Sequence, residues 1–363
     1  MTSLFESGRM GGVDIANRVF MAPLTRNRAH NDAIPNELAA KYYSQRASAG
    51  LIVTEATQIS VQGIGYLSTP GIYTSEQIDA WREITNAVHE EGGKIFLQLW
   101  HCGRIGHTSL KPNGEAPVAP SAIRAQSQTF TADGMVDVSD PRALEIDEIK
   151  QIVEDYKVAA KNAKDAGFDG VEVHAANGYL IDQFLQDKTN QRTDEYGGSV
   201  DNRTRFLTEV LEAVLEVWGN DRVGVRLSPT GTFNDMGDSN PLETFSVAVE
   251  KLNQYDLAYL HIVERFPGIE SSGSDLNIVK TLRDKWNGFY IANGDYNAET
   301  GSDVIASGYA DAIAYGRPFI SNPDLPKRLE INAPLAEADQ ATFYGGGAEG
   351  YTDYPFLEES QAA

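Results

Sequence analysis

The stretch GVEVHAANGYLIDQFL, residues 170–185, places a histidine, an amide and a phenol within six residues: His174, Asn177 and Tyr179. An imidazole and a carboxamide can hold a polar ligand group by hydrogen bonds, and a phenol with a pKa of about 10 carries a transferable proton at neutral pH. Taken singly, His174 is more often a structural histidine and Tyr179 a packing aromatic. The cluster has chemical meaning only if the fold brings it to a binding site.

Eight short apolar segments predict the strands that would position this cluster. They are residues 18–25, 51–58, 94–101, 170–177, 222–229, 257–264, 289–294 and 312–318. Helix-like segments with apolar residues at three- and four-residue spacing separate several of them, including 75–92, 147–167, 202–219 and 274–286. This alternation predicts an α/β fold, a (β/α)8 TIM barrel. The length permits one domain or two, and the alternation favours one barrel domain over residues 1–363.

Three segments fall outside the repeat. Residues 1–17 contain a glycine-rich turn between apolar ends, which predicts a β-hairpin that caps the bottom of the barrel. Residues 104–143 form a long excursion after the third strand and carry their own hairpin signal, so we expect them to cover an active site. The glycine- and tyrosine-rich tail, residues 332–363, is expected to wrap back over the barrel.

A barrel builds its site from the carboxyl ends of its strands, and those ends can be read from the sequence. Glycines follow the seventh and eighth strands, Gly294 and Gly316, and Arg317 stands beside the second of them. Barrels commonly hold a phosphate there. Hydrogen-bonding side chains at the other ends suit a flat polar ring, and no lysine at a strand end could form a Schiff base. We therefore predict FMN ahead of pyridoxal phosphate.

Charge and cysteine content exclude several classes of partner. The formal net charge of -22 disfavours nucleic acid and anionic membrane surfaces, and no apolar run reaches the length of a membrane span. The single cysteine, Cys102, permits neither an internal disulfide nor an iron-sulfur cluster. We expect a cytoplasmic protein, a monomer or small homo-oligomer, that acts on small molecules.

Several motifs in order resemble the Old Yellow Enzyme family of FMN-dependent ene reductases, in the branch of the N-ethylmaleimide and pentaerythritol tetranitrate reductases. They are NRVFMAPLTR, FLQLWHCGR, HAANGYLIDQFLQDKTNQRTDEYGGSVDNRTRF, VGVRLSP, AYGRPFISNPDLPKRL and FYGGGAEGYTDYP. The resemblance runs nearly end to end and implies the same capped barrel. It also implies noncovalent FMN, with NADPH or NADH as the electron donor.

The resemblance implies a role for each matching residue. For the flavin ring these are Pro23, Leu24, Thr25 at O4, Ala56, Gln98 at the pyrimidine edge and Arg226 near N1 and O2. For its phosphate they are Gly294, Asp295, Gly316 and Arg317. His174 and Asn177 would donate hydrogen bonds to a substrate carbonyl, Tyr179 would supply a proton, and Trp100 and Tyr344 would wall the pocket.

This assignment gives the cluster a chemical purpose. Hydride transfer from the flavin to the β-carbon of an α,β-unsaturated carbonyl builds negative charge on oxygen, which two preplaced donors stabilise. The α-carbon then takes a proton from Tyr179. Maleimides, nitroalkenes and phenolic ligands should enter the same pocket, and one pocket serving nicotinamide and substrate in turn implies ping-pong kinetics.

Some alternatives remain open at this point. Some relatives carry a histidine where this chain has Asn177, and close relatives often have threonine where it has Cys102. Arg226 could pair with Glu172 inside the barrel, with Gly224 leaving room beneath it. Two strand-end carboxylates, Glu55 and Asp295, would also suit a glycosidase-like hydrolase. A non-catalytic flavin sensor is a further possibility.

Overall fold

The computed structural model of the chain describes residues 2–266 and 272–358. Its strands in chain order are β1 Gly8–Met10, β2 Val13–Ile15, β3 Val19–Met21, β4 Leu51–Val53, β5 Thr57–Gln58, β6 Ile95–Trp100, β7 Val118–Ala119, β8 Gln128–Thr131, β9 Gly134–Asp137, β10 Arg142–Ala143, β11 Gly170–Ala175, β12 Val223–Leu227, β13 Tyr259–Val263, β14 Tyr290–Asn293 and β15 Ala312–Tyr315. Its α-helices are α1 Leu38–Ser44, α2 Ser75–Glu90, α3 Ile146–Asp165, α4 Leu180–Leu185, α5 Val200–Arg203, α6 Arg205–Trp218, α7 Pro241–Leu252, α8 Gly273–Lys285, α9 Ala298–Ala306, α10 Arg317–Ser321 and α11 Leu325–Glu330.

Strands β3, β4, β6, β11, β12, β13, β14 and β15 pair side by side in parallel and close on themselves. The closing pairs are β15 with β3, where Ile313 lies opposite Val19, and β6 with β11, where Leu97 lies opposite Val171. The predicted (β/α)8 barrel is confirmed. Helices return the chain between consecutive strands and bury apolar faces on the barrel, as α6 does with Phe206, Val210 and Val214.

Two predicted strands end earlier than their apolar runs suggested. The run at 18–25 leaves the sheet after Met21, because Pro23 has no N–H to donate to a neighbouring strand. The run at 51–58 divides into β4 and β5, and β5 pairs with β6 beside Leu99 and Trp100. In both cases the extra residues turn into the carboxyl-end loops that carry the site.

The N-terminal hairpin closes the bottom of the barrel. Strands β1 and β2 pair antiparallel, and the Gly12 N–H at their turn donates to the Asp221 carbonyl at 2.9 Å, just before β12 begins. Met10, Val13 and Ile15 are buried with the inward-facing rings of Phe20 and Phe96. The hairpin therefore fills the amino end and leaves the carboxyl end for the site.

The excursion after β6 and the C-terminal tail both reach the carboxyl end. Strands β8 and β9 form the hairpin expected within the excursion. Arg192, in the loop before α5, donates to the carbonyls of Pro120 and Leu144 and so ties down both flanks of that hairpin. Arg26 and Arg28 donate to tail carbonyls, including those of Phe343 and Thr342. Within the described ranges, no helix has both the length and the hydropathy needed to cross a membrane.

Candidate active site

A cavity of about 1060 Å³ opens at the carboxyl end of the barrel. Its wall comes from loops along the whole chain, including the β8–β9 hairpin through Phe130 and Met135 and the tail through Phe343. Eleven of the residues singled out in the sequence line it: Pro23, Leu24, Thr25, Asn177, Tyr179, Arg226, Gly294, Asp295, Gly316, Arg317 and Tyr344. Residues from the segments that follow all eight barrel strands, together with the tail, thus converge on one space, as barrel geometry requires.

The four other predicted residues, Ala56, Gln98, Trp100 and His174, are buried and do not line the cavity directly. Trp100 and His174 present ring edges to Tyr179, with centroids 4.9 and 5.2 Å away. Ala56 packs into the same small cluster as Trp100 and Tyr179. These residues form a layer immediately behind the wall, and Trp100 supports Tyr179 and Tyr66 from behind.

The HAANGY segment bends sharply because two consecutive residues have positive φ. Asn177 has φ 59° and Gly178 has φ 76°, conformations that asparagine and glycine adopt most readily. The Asn177 N–H donates to Ser228 Oγ at 2.7 Å, and its carbonyl accepts from Asn234 Nδ2 at 2.9 Å. The turn therefore carries the chain from β11 into α4 and fixes where Asn177 and Tyr179 stand.

His174 is held as a neutral imidazole. Burial, with the nearby positive charge of Arg226, lowers the pKa of His174 well below its usual value. Its Nδ1 atom and the Oδ1 atom of Asn177 are both buried without a hydrogen-bond partner in the described chain. Two buried polar atoms without partners, three residues apart in the chain, are compatible with a place where a ligand supplies them.

Tyr179 sits at the meeting point of three rings. Its hydroxyl lies 3.3 Å from that of Tyr66, and its ring meets Trp100 and His174 edge-on. Burial, reinforced by Tyr66, raises the pKa of Tyr179 well above 10. The phenol is therefore protonated at neutral pH and available as an acid.

A hydrogen-bonded chain crosses the barrel interior below this layer. Gln98 Nε2 donates to Glu172 Oε1 at 2.7 Å, and the other Glu172 oxygen lies 2.8 Å from His261 Nδ1. Arg226 donates instead to Asn293 Oδ1 at 2.7 Å. Although burial opposes ionisation, His261, Arg226 and Gln98 together lower the pKa of Glu172. These hydrogen bonds fix the orientation of the Gln98 amide and the Arg226 guanidinium, the two groups predicted to meet the flavin.

The suggested Arg226–Glu172 ion pair does not form: the partners of Glu172 are Gln98 and His261. The space beside Gly224 serves another purpose. A Cβ at Gly224 would lie 2.2 Å from two atoms of the Tyr259 ring. Glycine at this position therefore makes room for Tyr259, which could not be known without the packing of the neighbouring strand.

The opposite end of the cavity has the features of an anion site. Gly294 and Gly316 line it, and a Cβ at either position would meet protein atoms no closer than 3.5 Å. The protein's own packing therefore does not require glycine there, whereas close approach of a ligand to the backbone would. Four arginines, Arg26, Arg226, Arg265 and Arg317, and a single acid, Asp295, appear among the described lining residues. In a chain of net charge -22, this concentration favours an anionic ligand.

These observations fit FMN. The anion site suits its phosphate, and the buried Arg226 Nε joins His174 Nδ1 and Asn177 Oδ1 among polar atoms without partners in the described chain. The cavity volume of about 1060 Å³ lies at the upper end of the range of about 300–1,000 Å³ usual for a small-molecule site, which suits a large cofactor. The residues predicted to hold the phosphate and most of those predicted to contact the ring thus line one cavity of suitable size.

Sequence reasoning missed several lining residues. Tyr66, Asn234, Arg265, Phe266 and Tyr296 lie in loops that follow strands, and only Arg265 comes directly after a predicted strand, the one at 257–264. Asn234 is the clearest loss, because it joins the Asn177 carbonyl to Ser127 Oγ in the excursion. A systematic inspection of every aromatic, amide and cationic residue in the loops after strands would have included them.

The proposed carboxylate pair does not meet in the cavity. Asp295 lines it, but Glu55 is 5% exposed and accepts a hydrogen bond from the Arg26 N–H. Burial raises the pKa of Glu55 to about 7. Cys102 is buried and free, and burial raises its thiol pKa to about 12. Neither residue presents a reactive group to the cavity.

Comparison with known protein families gives a match over most of the chain. The model of the NADH:flavin oxidoreductase / NADH oxidase family matches residues 3–336. Among curated proteins, 12-oxophytodienoate reductase 1 of Oryza sativa subsp. japonica is 49% identical over 357 residues, which is 97% of this chain and 92% of that protein.

Comparison with solved structures gives matches over nearly the whole chain. Morphinone reductase in complex with tetrahydroNAD is 47% identical, with a TM-score of 0.93 and 99% of each chain covered. The Old Yellow Enzyme homologue from Zymomonas mobilis is 46% identical, with a TM-score of 0.93, and the match covers 98% of this chain and 100% of that one. The similarity therefore extends through the barrel, the excursion and the tail.

Proposed function

Because the chain belongs to the NADH:flavin oxidoreductase / NADH oxidase family, as its resemblance to the Old Yellow Enzymes predicted, we propose that it is an ene reductase. It is an NAD(P)H-dependent FMN oxidoreductase. This membership removes the glycosidase alternative, and an enzyme of this family is not merely a flavin sensor. The proposal concerns the substrates and the role of each residue.

FMN would lie across the cavity with its phosphate beside Gly294, Gly316 and Arg317. The backbone at Gly294, Asp295 and Gly316 and the Arg317 guanidinium would hold the phosphate. Thr25, Gln98 and Arg226 would contact the ring, with Pro23, Leu24 and Ala56 packed near it. Bound FMN supplies a ring that accepts a hydride from a nicotinamide and releases it to an acceptor.

His174 and Asn177 would bind the carbonyl oxygen of the substrate. A neutral imidazole and a carboxamide both carry N–H donors, and donors fixed before reaction stabilise negative charge as it develops on oxygen. The positive-φ turn at Asn177 and the burial of His174 hold both side chains in place. Their part is to favour the transition state over the bound ground state.

Tyr179 would give a proton to the α-carbon. Its phenol is protonated at neutral pH, lines the cavity, and stands beside both proposed oxygen donors. Trp100 would brace it from behind, and Tyr344, which is 63% exposed, would form part of the mouth. The hydride and the proton would thus reach adjacent carbons of one double bond.

The substrates would be activated alkenes: α,β-unsaturated carbonyls, maleimides and nitroalkenes. NADPH or NADH would enter the same cavity before the alkene, which gives ping-pong kinetics. The relatives that carry the names of 12-oxophytodienoate reductase and morphinone reductase, and the tetrahydroNAD complex of the latter, support a reductase that uses a nicotinamide.

The net charge and single buried cysteine support a cytoplasmic protein that binds neither nucleic acid nor membranes. We propose a monomer or a small homo-oligomer.

One observation carries the functional proposal: a single cavity is lined by Gly294, Gly316 and Arg317 and also by Asn177 and Tyr179, with His174 directly behind Tyr179. The test is to purify the protein, release its flavin by heat and identify it, then analyse the products of a cyclic enone incubated with NADH or NADPH. We expect FMN and the saturated ketone. FAD, a colourless protein that does not take up FMN, or unchanged enone would contradict the proposal.

A further inference from the structure

Tyr66 makes a contact with Tyr179 that the sequence did not suggest. The two hydroxyl oxygens lie 3.3 Å apart, although the residues are 113 positions apart in the chain. Tyr66 stacks on Trp100 with an interplanar angle of 15° and meets the Tyr179 ring at 84°. Trp100 also meets Tyr179 edge-on, so contacts among the three rings hold the two hydroxyls close to each other.

Tyr66 is the more exposed of the two tyrosines. Tyr179 is 8% exposed, whereas Tyr66 is only half-buried, and both line the cavity. The Asn234 side chain also contacts both hydroxyls. An amide keeps its protons at neutral pH, so among the described neighbours it is Tyr66 that can pass a proton to the Tyr179 oxygen.

A buried phenol that gives up its proton leaves a charge in a place that disfavours it. A phenolate at Tyr179 would have lost most of its hydration, which makes the charged state costly. Return of a proton during the transfer, rather than after it, avoids this charged state. The hydroxyl of Tyr66, a residue that also lines the cavity, provides the route.

We propose that Tyr66 is a proton relay for alkene reduction, an inference that rests on the ene-reductase function proposed above. As the Tyr179 O–H bond breaks and the new C–H bond forms at the α-carbon, the Tyr66 O–H bond breaks and its proton moves to the Tyr179 oxygen. Tyr66 takes a proton from water at the cavity mouth. The electron pair for reduction arrives with the hydride, so the relay moves protons only.

The first test is single-turnover reoxidation of the reduced holoenzyme by a weakly activated cyclic enone in mixtures of H₂O and D₂O. Wild type should give a curved dependence of rate on deuterium fraction, since more than one proton moves in the step. Tyr66→Phe should give a linear dependence and a rate lower by about 10-fold, below the 10²–10⁴ that a full general acid contributes. A linear dependence in wild type would overturn the relay whether or not the variant folds.

The second test is a double-mutant cycle. If Tyr66 acts through Tyr179, then Tyr66→Phe should cost nothing further in a Tyr179→Phe background. Equal losses in both backgrounds would mean that Tyr66 only shapes the cavity, and the relay would be wrong. Wild-type enone reduction with no effect of Tyr66→Phe would reject the relay alone, whereas a wild type unable to reduce any enone would reject the proposed function as well.

Discussion

Gln98 Nε2 donates to Glu172 Oε1 at 2.7 Å, and this bond commits the amide nitrogen to the barrel interior. No hydrogen bond to the Gln98 oxygen comes from the described residues, so that oxygen remains free to accept one from a ligand. His261, at 2.8 Å from the second carboxylate oxygen, steadies Glu172 in turn. The barrel interior thereby determines which edge of the amide a flavin would meet.

Glu172→Gln should therefore weaken FMN binding. The isosteric amide cannot accept from both Gln98 and His261, so the Gln98 side chain loses its fixed orientation, and we expect the FMN Kd to rise by about 10-fold, or about 1.4 kcal/mol of binding free energy. Fluorescence titration of apoprotein with FMN measures this. Glu209→Gln is the matched control. Glu209 lies on helix α6 and accepts a hydrogen bond from the Tyr196 hydroxyl, so this change should leave the FMN Kd unchanged. Equal FMN Kd values for wild type, Glu172→Gln and Glu209→Gln would show that Glu172 does not determine the orientation of the Gln98 amide.

Tyr179→Phe should separate the two half-reactions. Hydride transfer from the nicotinamide needs no proton from this residue, so anaerobic flavin reduction should stay nearly intact. Reoxidation by a weakly activated enone should slow by about 10²-fold or more, as expected for loss of a general acid. Stopped-flow absorbance of the flavin follows both steps. Similar losses in each would instead identify Tyr179 as a packing residue.

Phenols should report the oxygen site without turnover. A phenolate resembles the proposed enolate, so donors at His174 and Asn177 should lower the apparent pKa of a bound para-substituted phenol. Stacked on the oxidised flavin, it should produce a long-wavelength charge-transfer band that fades as the pH falls below that pKa. The double change His174→Ala with Asn177→Ala should abolish the band while FMN stays bound. A band that persists with unchanged affinity would place the donors elsewhere.

Glu55→Gln should stabilise the protein in a pH-dependent way. The Glu55 pKa is about 7 in the folded chain, against an ordinary value of 4.5 for a solvated glutamate. Between these values the unfolded chain ionises and the folded chain does not, so wild type loses stability relative to the variant as pH rises. The advantage of Glu55→Gln should grow by about 3 kcal/mol from pH 4.5 to 7 and then level off. Urea unfolding at several pH values measures it, and a difference that is flat or shrinks across this range would contradict the raised pKa.

The barrel was predictable because its strands are short apolar runs and its helices have regular apolar faces. The alternation of eight such strands with such helices predicted a closed parallel sheet. The hairpins at 1–17 and 104–143 followed from turn residues between apolar segments. The strand ends were less predictable. Pro23 and the break between Val53 and Thr57 shorten strands for reasons that depend on which neighbour each strand pairs with.

The site was predictable where a residue stands at a strand end and follows a recognisable motif. His174, Asn177, Arg226 and Arg317 are of this kind. Tyr66 and Asn234 come from loops whose paths depend on tertiary packing, and their contacts with Tyr179 and Asn177 have no signature in the sequence. The Trp100 position shows the same limit: the family resemblance implied a place at the pocket wall, but only the structure shows Tyr66 stacked against it.

Alkene reduction at this site is tested most directly by anaerobic stopped-flow spectroscopy of the wild-type holoenzyme through both half-reactions. The oxidised FMN spectrum should bleach on mixing with NADPH or NADH, and the reduced enzyme, free of nicotinamide, should recover that spectrum on mixing with a cyclic enone, with one equivalent of saturated ketone formed per FMN. Steady-state rates should then give parallel lines in double-reciprocal plots, as one cavity serving both ligands in turn requires. Flavin that is reduced by nicotinamide but not reoxidised by any enone, maleimide or nitroalkene would contradict the assignment of His174, Asn177 and Tyr179 to alkene reduction.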